Sequence, residues 1–108
     1  MDDSEFDRRA RDELGYIEDQ FMDVDPDEVD VSSTDGVLTL ELRDGVKVVV
    51  NAHRAARQIW MAAVADAWHF DLDASDGRWR GDKRGVVVEL RQALAQVIRD
   101  RIELDVSL

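Results

Sequence analysis

The feature that most limits the fold is a change of period along the chain. Over residues 29–79 apolar and polar residues alternate, the repeat of strands with one buried face. Turn residues interrupt the alternation at Asp35-Gly36, Asp44-Gly45 and Asp76-Gly77. On either side the repeat is helical. Phe6, Ala10, Leu14, Ile17 and Phe21 form one apolar stripe before it, and Val86, Val87, Leu90, Leu94, Val97 and Ile98 form another after it. One apolar sheet face and two apolar helix faces must therefore be buried together in 108 residues, too few for a second core. The expected solution is an α+β fold, a two-layer α/β sandwich with two helices packed on one face of an antiparallel sheet. The order is α-β-β-β-β-β-β-α, residues 1–108 form a single domain, and the other sheet face is left in water.

Local signals add boundaries. Ser4 is placed to cap the first helix with Asp7 at its third position, and Pro26 lies beyond its end. The second helix is expected over residues 86–102, opening without a capping side chain, with residues 104–108 extended against the helices. In the central hairpin, Leu38, Leu40 and Leu42 face Val46, Val48 and Val50 across a three-residue loop, Arg43-Asp44-Gly45. Gly45 takes the left-handed conformation, and Glu41 stands opposite Lys47. Parity sends Ile59, Met61, Trp68, Phe70, Leu72 and Trp79 inward, and Gln58, Trp60, His69 and Asp71 outward. An outward Trp60 on a flat polar sheet, shielded at most by long neighbours such as Arg78 or Arg80, is a candidate binding anchor.

Charge and composition exclude several functions. The chain has no cysteine, which removes disulfides, thiolate metal sites and a cysteine nucleophile. A net charge of −11 argues against a nucleic-acid partner. No apolar run reaches membrane-spanning length, and the acidic start is unlike a secretory or transit leader, so no membrane partner and a cytoplasmic location are expected. His53 and His69 lack a second histidine at ligand spacing and read as ordinary polar residues. No nucleophile triad, phosphate loop or carboxylate pair in an apolar cleft is present, so no conventional enzyme is expected.

The charge is concentrated. Residues 1–30 carry thirteen acids and three arginines, which accounts for ten of the eleven net negative charges. Asp2, Asp3, Glu5 and Asp7 favour the amino-terminal turn of a helix. Glu18, Asp19, Asp23 and Asp25 gather instead near its carboxyl end, where negative charge opposes the macrodipole, and Asp19 and Asp23 read as a repelling i,i+4 pair. Acids kept where they cost stability suggest a hard-cation site; a solvated or salt-adapted face gives the same pattern. No EF-hand-like cage is present, so any binding is weak, hydrated and exchangeable.

One resemblance covers essentially the whole chain. The stretch from Gly36 to Asn51, then Gln58-Ile-Trp60-Met-Ala, Trp68-His-Phe-Asp71 and Gly77-Arg-Trp79, resembles the bacterial frataxins, as do Asp3-Ser-Glu-Phe6 and Ile17-Glu-Asp19. The Asn51-to-Gln58-Ile-Trp60 spacing is its most specific element. Ala52, His53 and Ala55 stand where the family has a basic residue, Gln and Pro. Asp66-Ala67 replaces a Gly-Gly turn, and Met22 replaces a ridge acid. The resemblance implies an iron-binding protein of iron–sulfur cluster assembly, acting as iron donor and regulator of the cysteine desulfurase. It implies weakly bound Fe²⁺ or Fe³⁺, with other divalent cations able to compete, at an acidic ridge of Glu18, Asp19, Asp23 and Asp25, extended by Asp27, Glu5 and Asp12. It implies a partner surface of Trp60, Asn51 and Gln58 with Glu18 and Asp19, serving the desulfurase and the assembly machinery, on a monomer open to iron-dependent oligomers. The competing readings are an acidic interaction module with incidental metal binding and a weak ferroxidase.

Overall fold

The computed structural model describes all residues, 1–108. The elements are α1 (Asp3–Asp19), β1 (Val29–Thr34), β2 (Val37–Leu42), β3 (Lys47–His53), a 3-10 turn (Arg54–Ala56), β4 (Gln58–Ala63), β5 (Asp66–Asp73), β6 (Arg78–Lys83), β7 (Val86–Glu89) and α2 (Leu90–Ile102). The strands form one antiparallel meander in chain order. Both helices lie on the same face, because their buried stripes join the inward strand residues in one core of 20 side chains. Phe6 meets Trp79 edge to face at 5.9 Å, which ties α1 to β6. This is the α+β sandwich expected from the period change. No helix is long and apolar enough to cross a membrane.

The central hairpin has the expected register. Glu41 pairs with Lys47, and Leu42 and Val46 close a three-residue loop in which Gly45 has φ +88°. Asp44 accepts a 3.0 Å hydrogen bond from the Val46 amide. Residues 104–108 have no regular structure, yet Leu104, Val106 and Leu108 pack on the core and the Leu108 carbonyl accepts from Tyr16 at 3.0 Å.

Several boundaries differ from the expectation, each for a local reason. Asp2, not Ser4, caps α1: its carboxylate accepts from the Glu5 amide at 2.8 Å, an N-cap hydrogen bond to the third helical residue. The sheet has seven strands, because residues 86–89 extend it before α2 begins. Arg84 (φ +54°) and Gly85 (φ +83°) make a two-residue turn that pairs Lys83 with Val86, and a run of three valines suits a strand better than a helix. Val86 and Val87 are consequently exposed and do not join the α2 stripe. The turn between β4 and β5 is Val64-Ala65, not Asp66-Ala67; Val64 has φ +55°, a conformation in which a β-branched residue is strained. Trp68 is on the inward face but only half-buried, with the Lys83 ammonium 4.6 Å over its ring.

The two helices are joined by one ion pair that the sequence did not reveal. Glu13, the buried charged residue of the core, receives two hydrogen bonds from Arg91 of 2.9 and 2.8 Å. The Glu13 hydrogen bond holds the Arg91 guanidinium above its ordinary range, and the same guanidinium lies 3.7 Å over the Tyr16 ring.

Candidate functional site

The first helix sorts its acids into two groups. Near its start, Asp7 receives a fork from Arg54 of 3.0 and 2.6 Å, Asp3 meets Arg57 at 2.5 Å, and Glu5 faces Arg9 at 3.9 Å. The hydrogen bond to Asp7 raises the Arg54 guanidinium above its usual range. Glu13 is taken by Arg91 and Glu28 by Arg43. Beyond these, Asp12, Glu18, Asp19, Asp23, Asp25 and Asp27 are exposed, and none of them forms an ion pair. The arginines thus neutralise the start of α1 and leave the carboxylates at its end free.

That end carries its charge against the backbone. Glu18 and Asp19 lie in the last turn of α1, where exposed carbonyls already make the field negative and no basic side chain compensates. Asp23 does not stack on Asp19 as an i,i+4 pair, because the helix closes at Gln20 and residues 20–24 continue in tight turns. After Pro26 the chain turns again, with the Asp25 carboxylate accepting from the Asp27 amide at 2.9 Å. No three acidic or imidazole side chains converge tightly enough to hold a metal as a cage. The free acids form a ridge suited to a hydrated cation held through water and single carboxylates, the weak mode open to hard ions.

Of the ridge acids, Glu18 also lines a groove of about 450 Å³ between α1 and the β1–β2 turn, together with Asp35, Gly36, Ala52 and Arg54. This groove leads to the 3-10 turn, and the turn leads to the second part of the site. The substituted loop is held down by the Arg54–Asp7 and Arg57–Asp3 pairs, with Arg57 at φ +55° and donating to the Arg54 carbonyl at 2.7 Å.

The outer sheet face carries the other predicted residues. Asn51 and Trp60 are cross-strand partners on β3 and β4. Trp60 Nε1 donates to Gln58 Oε1 at 2.8 Å, and Gln58 Nε2 donates to Asp71 at 3.1 Å. Trp60 faces outward as parity requires, but it is half-buried, and its shield is not Arg78 or Arg80. His53 stacks on one face of the indole at 3.8 Å and His69 on the other at 4.4 Å. Arg80 is engaged elsewhere, with Asp73 and Asp76. The two histidines are the residues that sequence reasoning undervalued; the pairing of His69 with Trp60 was available from the β4–β5 register once the turn was correctly placed at Val64-Ala65.

Comparison with known proteins points one way. Residues 1–104 match the family model described as a frataxin-like domain. The chain is 37% identical over 112 residues to an iron-sulfur cluster assembly protein CyaY of Ralstonia nicotianae, covering 100% of this chain and 95% of that one. Among solved structures it resembles the frataxin of Psychromonas ingrahamii, with a TM-score of 0.87 at 27% identity over 99% and 97% of the two chains. It also resembles a trimeric yeast frataxin from Saccharomyces cerevisiae complexed with ferrous iron, with a TM-score of 0.73 at 27% identity over 89% and 87%.

Proposed function

The chain belongs to the frataxin-like family, and from that premise we propose that it binds iron at the free acids of α1 and serves iron–sulfur cluster assembly. Its relatives are named for that assembly role, and one solved neighbour is an iron complex. The observation that carries the site is the sorting of the acids: arginines occupy Asp3, Asp7 and Glu13, while Glu18 and Asp19 stay uncompensated where they oppose the helix field, and Asp23 and Asp25 stay unpaired just beyond it. Asp27 and Asp12 extend the ridge. Glu5, weakly engaged by Arg9, is its outermost member.

The ion is Fe²⁺ as delivered cargo, held through oxygen ligands, with Fe³⁺ and other hard cations able to compete. The partner is the cysteine desulfurase within the assembly machinery. Its contact surface is the outer sheet face around Trp60, Asn51 and Gln58, flanked by Glu18 and Asp19. Ten net negative charges within thirty residues suit a basic surface on that partner and steer encounter at low salt. Weak ferroxidase turnover would be favoured by a site that clamps two metals between converging ligands. The dispersed ridge supports the roles of carrier and regulator instead.

The test is calorimetry of the purified chain with Fe²⁺ under anaerobic conditions and with the desulfurase, separately and together. Binding of both, with desulfurase turnover altered by the chain and further by iron, is expected. Desulfurase binding without any Fe²⁺ binding would leave an electrostatic interaction module, and binding of neither would overturn the proposal.

A further inference from the structure

Trp60 is held between two imidazoles drawn from the strands on either side of its own. The planes are nearly parallel, 13° to His53 and 16° to His69. Trp60 and His69 are direct partners across β4 and β5, and His53 reaches in diagonally from the end of β3. Rings stacked across neighbouring strands stand upright on the sheet, their planes along the strands and their rims pointing outward. Both indole faces are therefore covered. The Nε1–H is engaged by Gln58, which is itself fixed by Asp71, so rotation of the ring is restricted in its own plane as well.

The two histidines are not placed by polar bonds of their own in the way Gln58 is. The Nδ1 atom of His53 is shut off from solvent and has no hydrogen-bond partner, a cost that favourable packing on the indole must offset. The backbone leading away from His53 is fixed by the Arg54–Asp7 and Arg57–Asp3 pairs. His69 is fixed from the other side: a Cβ on Gly81 would stand 1.9 Å from the His69 carbonyl oxygen, so β6 packs against the His69 backbone with no room for any other residue.

We propose that His53 and His69 are positioning residues for Trp60, and that the docking element of this face is a three-ring blade in place of a lone tryptophan. The inference rests on the reading of this face as the partner surface. A blade fixed before contact has little freedom left to lose on binding, which is how preorganisation raises affinity. Aromatic rims carry the positive end of the ring quadrupole. The blade accordingly fits a cleft lined by carbonyl or carboxylate oxygens, next to a basic patch that receives the acids of α1.

The test uses the full chain with His53→Ala, His53→Phe and His69→Ala, read in two ways. In the free protein, Trp60 emission and anisotropy are isolated by difference against Trp60→Phe. Binding to a bacterial cysteine desulfurase is followed by calorimetry. His53→Ala should free the indole, seen as lower anisotropy and a shifted emission, and should weaken the desulfurase about three- to tenfold, while His53→Phe restores both by stacking without an imidazole. His69→Ala should act in the same direction. Unchanged Trp60 anisotropy in both alanine variants, or failure of the phenylalanine to restore it, overturns the proposal. If Trp60→Ala itself leaves desulfurase affinity unchanged, the partner-surface reading fails, and the positioning role is then decided by the anisotropy alone.

Discussion

Neutralising the end of α1 should stabilise the protein and remove its response to iron at the same time. The perturbation is Glu18→Gln, Asp19→Asn and Asp23→Asn together. Glu18 and Asp19 lie in a last helical turn without a basic residue, and each opposes the macrodipole by roughly 0.3–1 kcal/mol at low ionic strength. Asp23 lies beyond the helix end and adds little. The combined gain of about 0.5–2 kcal/mol corresponds to a Tm increase of roughly 2–8 °C for a chain of this size. Salt near 1 M should erase most of that gain by screening. Iron should reverse the order, since Fe²⁺ at a hundred times its Kd stabilises the wild type by about 2.7 kcal/mol and the variant hardly at all. Circular-dichroism melts at low salt, anaerobic, with and without Fe²⁺, give both numbers. A variant that keeps the full iron-induced shift refutes the site, and one that is less stable without metal refutes the claim that these acids cost stability.

Truncating Trp60 removes two stacking contacts but opens no core cavity, so Trp60→Ala should cost about 1–2 kcal/mol in urea unfolding, whereas Trp79→Ala, fully inside, should cost about 3–5. Equal losses would mean that Trp60 belongs to the core. Gly81→Ala meets the His69 backbone and should lower Tm while shifting the His69 and Trp60 resonances; a variant with native stability and spectrum would show that β6 can retreat. Hydrogen bonds depress several carboxyls below their ordinary range: from the Val46 amide on Asp44, Lys83 on Asp66, the Ser75 hydroxyl on Asp73 and Arg80 on Asp76. A depressed folded-state value contributes stability that is present above the unfolded value near 3.9 and lost as pH falls through the folded one, so the urea midpoint should drop below about pH 4. Asp76→Asn should make that drop shallower, and an unchanged slope would count against the assignment.

What the sequence disclosed were features with a period or a fixed turn chemistry. The α1 stripe, the Glu41–Lys47 pairing and the outward parity of Trp60 all follow from spacing, and the structure has each of them. What it concealed depends on which residues meet from distant segments. Glu13 reads as one more surface acid until α2 brings Arg91 beside it, and His53 reads as a loop residue until the end of β3 lays it on the indole. The start of α2 lies at Leu90 and not at Val86 because three valines satisfy a helical stripe as well as a strand, and only the Arg84-Gly85 turn decides between them. The ridge was legible as charge but not as a sorted pattern, since the arginines that occupy Asp3 and Asp7 lie some fifty residues away, at Arg57 and Arg54.

The central claim is that iron enters at the free acids of α1, and an NMR titration of the labelled chain with Fe²⁺ under anaerobic conditions tests it most directly. Amide resonances of Glu18, Asp19, Asp23 and Asp25 should broaden first, those of Asp12 and Asp27 next, while the arginine-paired Asp3 and Asp7 and the distant β7 and α2 remain sharp. Broadening that begins at Asp3, Asp7 or the His53–His69 pair, or that spreads evenly over all exposed carboxylates, would contradict it.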